Sequence, residues 1–213
     1  GWIDPESTSP EDRLIWTDTD GLLVAGSPNT QLTWMDARRE GHTFTPRHGK
    51  AVELNALWIS ALRGLGGLLE RRELSTEADR ASAAFRAAFI RPDGSLFDRL
   101  EPDPTRDAAF TPRAEHRPNQ VFAASLERSP LTRAERAALV AACRRAGLVT
   151  SRGLRTLAPN EAGYRPQFRG SLVERDAAYH QGTVWPWLAG PFAEATLRAE
   201  LDDLLDGETG ERP

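Results

Sequence analysis

With a single cysteine, Cys143, in 213 residues, the chain has no internal disulfide and no cysteine-rich metal site. Histidine is scarce too: His42, His48, His116 and His180 are the four, and none is spaced as a metal pair, so no metal is expected. Basic residues do not predominate, since Lys and Arg number 27 against 31 Asp and Glu, and the net charge of −4 offers no field for nucleic acid. Long apolar runs are missing, because Arg63, Glu70 and Pro186 interrupt them well short of the roughly 20 residues a membrane span requires. The first twenty residues hold no charged-then-apolar leader. The expectation is a cytoplasmic chain without nucleic-acid or membrane partners. What is present, 39% apolar and 27% charged residues, is ordinary globular composition, enough for one full domain or part of a larger one.

Along the chain, residues 1–20 are polar and rich in Pro, Ser, Thr and Asp, an irregular lead-in anchored by Trp2 and Trp16 with a short extended piece near Leu14 to Thr17. Leu22 to Val24 predicts a second extended piece before the turn-forming Gly26-Ser27-Pro28-Asn29. A helix follows from about Lys50 to Arg72; its apolar positions leave no wide polar face, which predicts burial between other elements. Glycines 64, 66 and 67 bend it, end it early or serve close packing. A charged, alanine-rich helix is expected over about Ser75 to Phe89. Then come a turn at Pro92 to Ser95, a strand-like Leu96 to Leu100, a surface excursion over Glu101 to Arg117 and a short inner helix from about Asn119 to Leu126. Thr132 and Glu135 form a capping box for an amphipathic helix ending at Gly147. Leu148 to Ala178 lacks periodicity and reads as a long loop, and Thr183 to about Leu205 as a fifth helix. Alternating buried and amphipathic helices predict an all-α protein with two concentric helical layers.

The chemistry is expected in Gln31 to Trp58. Asp36 directly follows Trp34 and Met35, large apolar side chains that would favour its protonated form if they cover it. A protonated carboxyl group is what glycosidic bond cleavage needs as general acid.

The motifs Trp34-Met35-Asp36, Pro46-Arg47, Gly49-Lys50, Glu53, Asn55-Ala56-Leu57-Trp58 and Arg117-Pro118-Asn119-Gln120 resemble the amylo-α-1,6-glucosidase domain of glycogen debranching enzymes, bacterial and archaeal type. The longest such runs are Gly153 to Pro159 and Arg175 to Trp187. The resemblance implies an (α/α)6 toroid of paired inner and outer helices, of which residues 21–213 would be a part cut at both ends, since five helices are too few for twelve. It implies hydrolysis of α-1,6-linked glucose on glycogen or limit dextrin, with inversion, without a cofactor and with Asp36 as general acid. Trehalase- or glucoamylase-like toroid enzymes, or a non-catalytic glycan-binding remnant, are the alternatives. An inverting enzyme needs a second carboxylate, roughly 6.5–9.5 Å across the sugar. The family supplies it as a glutamate in a segment that Asp202 to Gly207 echoes with aspartate. Glu161, Glu174 and Asp176 are the substitutes within the long loop, and Asp176 is also a candidate sugar ligand.

Trp34 and Trp185 are candidate sugar-stacking residues, Trp58 a core residue, and His180 with Gln181 carries donors and acceptors suited to hydroxyl groups. Arg47, Glu53 and Asn119 sit at the edges of apolar helices, where they either bind sugar or brace loops.

Overall fold

In the computed structural model, residues 14–106 and 109–207 are described, with side chains as far as residue 200. Most of the lead-in, including Trp2, lies outside them. The chain enters as a hairpin of β1 (Ile15–Thr17) and β2 (Leu23–Ala25), with Trp16 opposite Val24. A bridge between Ala25 and Gly49 fastens this hairpin to the motif segment. At Gly49, φ is +99° and an added Cβ would collide with the carbonyl oxygen of Leu100, so the position requires glycine.

A second hairpin, β3 (Arg38–Arg39) with β4 (His42–Thr43), lies between Asp36 and Arg47. β5 (Lys50–Ala51) runs directly into α1 (Val52–Leu68), which folds back on α2 (Arg72–Phe89). β6 (Arg99–Pro102) pairs with β5 on one side and β7 (Phe110–Arg113) on the other. A 3-10 turn at Pro118–Gln120 leads into α3 (Val121–Ser125), and α4 (Arg133–Arg145) opens on the Thr132–Glu135 capping box. β8 (Val149–Thr150), β9 (Gly153–Arg155) and β10 (Val184–Trp185) form a sheet with β9 in the middle. Between β9 and β10 lies α5 (Leu172–Tyr179), and α6 (Ala189–Gly207) closes the described chain against α3 and α4. The core joins Leu22, Val52, Ile59, Phe85, Phe89, Leu139 and Leu188 from these elements. Each large apolar side chain removed from water contributes ~1.5–3 kcal/mol.

This architecture overturns the all-α toroid expected from the sequence. The described residues form a mixed structure, with four small antiparallel sheets beside the helices. The helical periodicities are real, but the segments between them zip into two- to four-residue ladders too short to show as alternation in the sequence. The expected long loop likewise contains β8, β9 and α5, and α5 has its own capping box of Ser171 and Glu174. The fifth helix begins at Ala189 rather than Thr183, because Pro186 holds Trp185 in extended backbone, φ −114° and ψ 123°.

Nor is α1 enclosed. It is covered by α2 and α3, while Leu57, Leu65 and Leu68 are 44%, 46% and 79% exposed. Close packing explains Gly66, where a Cβ would press on Ser75 Oγ at 2.7 Å; Gly64 and Gly67 have open space around them.

Candidate active site

Arg47 is the centre of the site's framework. Its guanidinium grips Glu53 through two hydrogen bonds, Nη1 to Oε1 and Nη2 to Oε2 (2.7 Å), and donates through Nε to Asp98 Oδ2 at 2.8 Å and through Nη2 to Asp98 Oδ1 at 3.1 Å. All three residues are buried. Burial alone works against the charge of Arg47, yet the facing Asp98 and Glu53 carboxylates win and hold its pKa above the ordinary value. Burial would likewise raise the Asp98 carboxyl; the Arg47 and Arg117 guanidiniums, with hydrogen bonds from Arg47 and Asn119, outweigh it and hold Asp98 below its usual range. Asp98 is thus an ionised buried group, tolerable because it is paired and bonded on every side.

From Asp98 the framework runs outward. Asn119 donates through Nδ2 to Asp98 Oδ1 at 2.8 Å, and its Oδ1 accepts the Trp34 indole N–H at 2.7 Å. Asn119 and Arg117 also approach the sulfur of Met35, at 3.4 Å and 3.9 Å. The loop before Asp36 is therefore pinned at two successive side chains, one through its polar edge and one through burial of Met35. Asp36 itself turns outward. It is exposed and makes no hydrogen bond or ion pair among the described residues. The apolar cover expected from Trp34 and Met35 is not there, because Met35 points into the protein and the Trp34 ring packs edge-on against His180 and Trp187, centroids 5.2 Å and 4.9 Å apart.

The second group of motif residues approaches the first through Arg117, which donates to the backbone oxygens of His180 (2.7 Å) and Thr156 (3.1 Å) and to Gln181 Oε1 (2.9 Å). Gln181 in turn donates to the Phe44 carbonyl, 3.2 Å away, bridging to the β3–β4 hairpin. His180 is fully buried, and neither ring nitrogen has a partner among the described residues. Burial, then the nearby Arg117 and Arg47 charges, push its pKa down to about 3, so the ring is neutral. Asp176, on α5, pairs with Arg39 of β3 at 2.6 Å, both partly exposed. Trp185 donates its indole N–H to the Tyr179 carbonyl at 2.9 Å and lies among Tyr179 and Phe168, leaving an aromatic patch at the surface. Trp58, read as core, is half-buried and donates to the Gly21 carbonyl at 3.2 Å.

The structure thus brings Trp34, Arg47, Glu53, Asn119, His180 and Gln181 into one connected framework, with Asp36 on its outer loop and Asp176 and Trp185 beside α5. Asp98 and Arg117 belong to the framework as well; Arg117 stood in the Arg117-Pro118-Asn119-Gln120 motif without a site role, and Asp98 was not singled out from the sequence. Asp98 fell in a strand-like run, where nothing distinguishes a buried acid from a solvated one. The other candidate carboxylates are already engaged. Glu161 accepts from the backbone and ring of His116, both at 2.9 Å, and Glu174 caps α5. No group of described side chains could hold a metal ion, and no described helix is long and apolar enough to cross a membrane.

Similarity to known proteins relates this domain to glycoside hydrolases. Residues 13–208 match the amylo-alpha-1,6-glucosidase family, and the chain belongs to that family. It is 29% identical over 218 residues to a glycogen debranching enzyme of Saccharomyces cerevisiae, an alignment covering 82% of this chain and 14% of that enzyme. A shorter stretch is 34% identical over 92 residues to a leucyl/phenylalanyl-tRNA–protein transferase of Alcanivorax borkumensis, covering 38% of this chain and 37% of that protein.

Proposed function

We propose that the chain serves α-1,6-glucoside hydrolysis on glycogen or a limit dextrin, with inversion and in the cytoplasm, and that Asp36 is the general acid that protonates the leaving glycosidic oxygen. The observation that carries this reading is the division of labour along one loop. Trp34 and Met35 are locked to the Asp98–Asn119 framework, while the next side chain, Asp36, is held out to solvent, free of internal partners among the described residues. A general acid must reach its substrate oxygen, so it cannot be spent on an internal ion pair. The buried Arg47, Glu53 and Asn119 brace this loop rather than touch sugar, and His180 supports Trp34 from behind. Trp34, Gln181, Trp185 and Asp176 remain near enough to the surface to meet a glucan. Indole faces stack on the C–H faces of sugar rings while amide and carboxylate groups meet hydroxyls.

The reading assigns no general base among the described residues, because Glu161, Glu174 and Asp176 are each committed to a local partner. The test is glucose release from a phosphorylase limit dextrin. Release that Asp36→Asn abolishes supports the proposal; dextrin binding without any release by the unaltered chain favours a glycan-binding role instead.

A further inference from the structure

A cavity of about 720 Å³ opens elsewhere in the molecule, between the β1–β2 hairpin, the β3–β4 hairpin and the end of β6. Its volume falls within the roughly 300–1,000 Å³ typical of small-ligand sites. Trp16, Pro28 and Pro102 give it apolar walls, and His42, His48 and Glu101 give it polar corners; Trp34, Asp36, Asp176 and Gln181 do not line it.

The polar corners define what fits. Glu101 receives a hydrogen bond from Arg113 and pairs with Arg99 at 3.4 Å, while His48 Nε2 stands 3.7 Å from its other oxygen. The Glu101 carboxylate that lines the cavity is already met by Arg99 and Arg113, so its charge is answered within the protein and neither sign of charge is called for in a ligand. His48 Nδ1 is buried with no hydrogen-bond partner among the described residues. Burial lowers the pKa of His48, which leaves a neutral ring with one donor and one acceptor nitrogen. Sugar hydroxyls can donate to or accept from the imidazole and carboxylate groups that line the cavity, and the C–H faces of a sugar ring suit the indole of Trp16 and the proline rings.

We propose that this cavity is a second saccharide-binding site, taking a neutral oligosaccharide of α-linked glucose, with Trp16 as its stacking platform. The choice of glucan rests on the proposed function above; the location does not.

The test is calorimetric titration of the full chain with maltoheptaose. Trp16→Ala is expected to weaken binding about tenfold, the scale on which losing one well-placed aromatic contact acts. Trp16→Phe is expected to restore most of the affinity. His42→Ala, at an exposed position whose ring packs edge-on against Phe44, is expected to cost about threefold. No measurable binding by the unaltered chain, or the same affinity in folded Trp16→Ala and His42→Ala, overturns the proposal. Glucose release alongside Trp16-independent binding sinks this inference and leaves the hydrolytic reading intact. Trp16-dependent binding without glucose release does the opposite.

Discussion

The buried framework from Arg47 through Asp98 to Asn119 and the outer Arg39–Asp176 pair, on the face that also carries Asp36, use the same side-chain chemistry, a carboxylate met by a guanidinium. They differ in access to water. Inside, every charge has a fixed partner, and losing one strands the others in a medium that cannot solvate them. Outside, Arg39 and Asp176 remain 30% and 24% exposed, and water replaces whichever partner is removed. The inner set is buried and paired, and the outer set keeps contact with water. Motif residues that look alike in the sequence therefore divide into two physical roles.

The largest expected effect lies inside. Asp98→Ala leaves Arg47 and Arg117 facing each other without their shared carboxylate, and should destabilise the fold by about 3–5 kcal/mol in urea unfolding. A loss below about 1 kcal/mol would mean that water reaches the framework and that the contrast between the two regions is false.

Acid sharpens the same contrast. His180, ordinarily titrating near 6.5, is held to about 3 in the folded chain, so below pH 6.5 the unfolded chain takes up the proton first. Stability should hold above pH 6.5 and decline as the pH falls toward 3. His180→Leu should flatten that slope in a series of urea titrations. Asp98, held below its ordinary range, adds an acid-side loss at lower pH as it is finally protonated.

Asn119→Ala comes next, at about 1–3 kcal/mol, because it leaves the Trp34 indole N–H without its acceptor and removes one of the two hydrogen bonds to Asp98 Oδ1. Its signature beyond stability is a shift in Trp34 fluorescence. Arg39→Ala, at the outer pair, should cost no more than about 1 kcal/mol, and less still as salt is raised.

Some of this contrast was readable in the sequence. The Thr132–Glu135 capping box announced α4, because the signal lies in residues three apart. The same pattern at Ser171 and Glu174 announced α5 equally well, but the absence of apolar periodicity around it drew attention to the loop. Arg47, Glu53 and Asn119 stood out as polar residues beside apolar runs. Asp98, the shared partner of Arg47 and Asn119, did not, because its burial accompanies β6 pairing with β5, a contact between residues about fifty positions apart. The open side of α1 was hidden for a related reason: composition reports that a helix is apolar, not which faces find a neighbour. The all-α expectation failed on ladders of two to four residues, which backbone hydrogen bonds fix and side-chain alternation scarcely marks.

The central claim is that Asp36 acts while the framework behind it merely holds. Asp36→Asn tests it most directly when stability and glucose release from limit dextrin are measured on the same preparation. Asp36 is exposed and without internal partners among the described residues, so unfolding free energy should stay within about 0.5 kcal/mol of the unaltered chain while glucose release disappears. Undiminished glucose release from a fully folded Asp36→Asn chain would contradict the account.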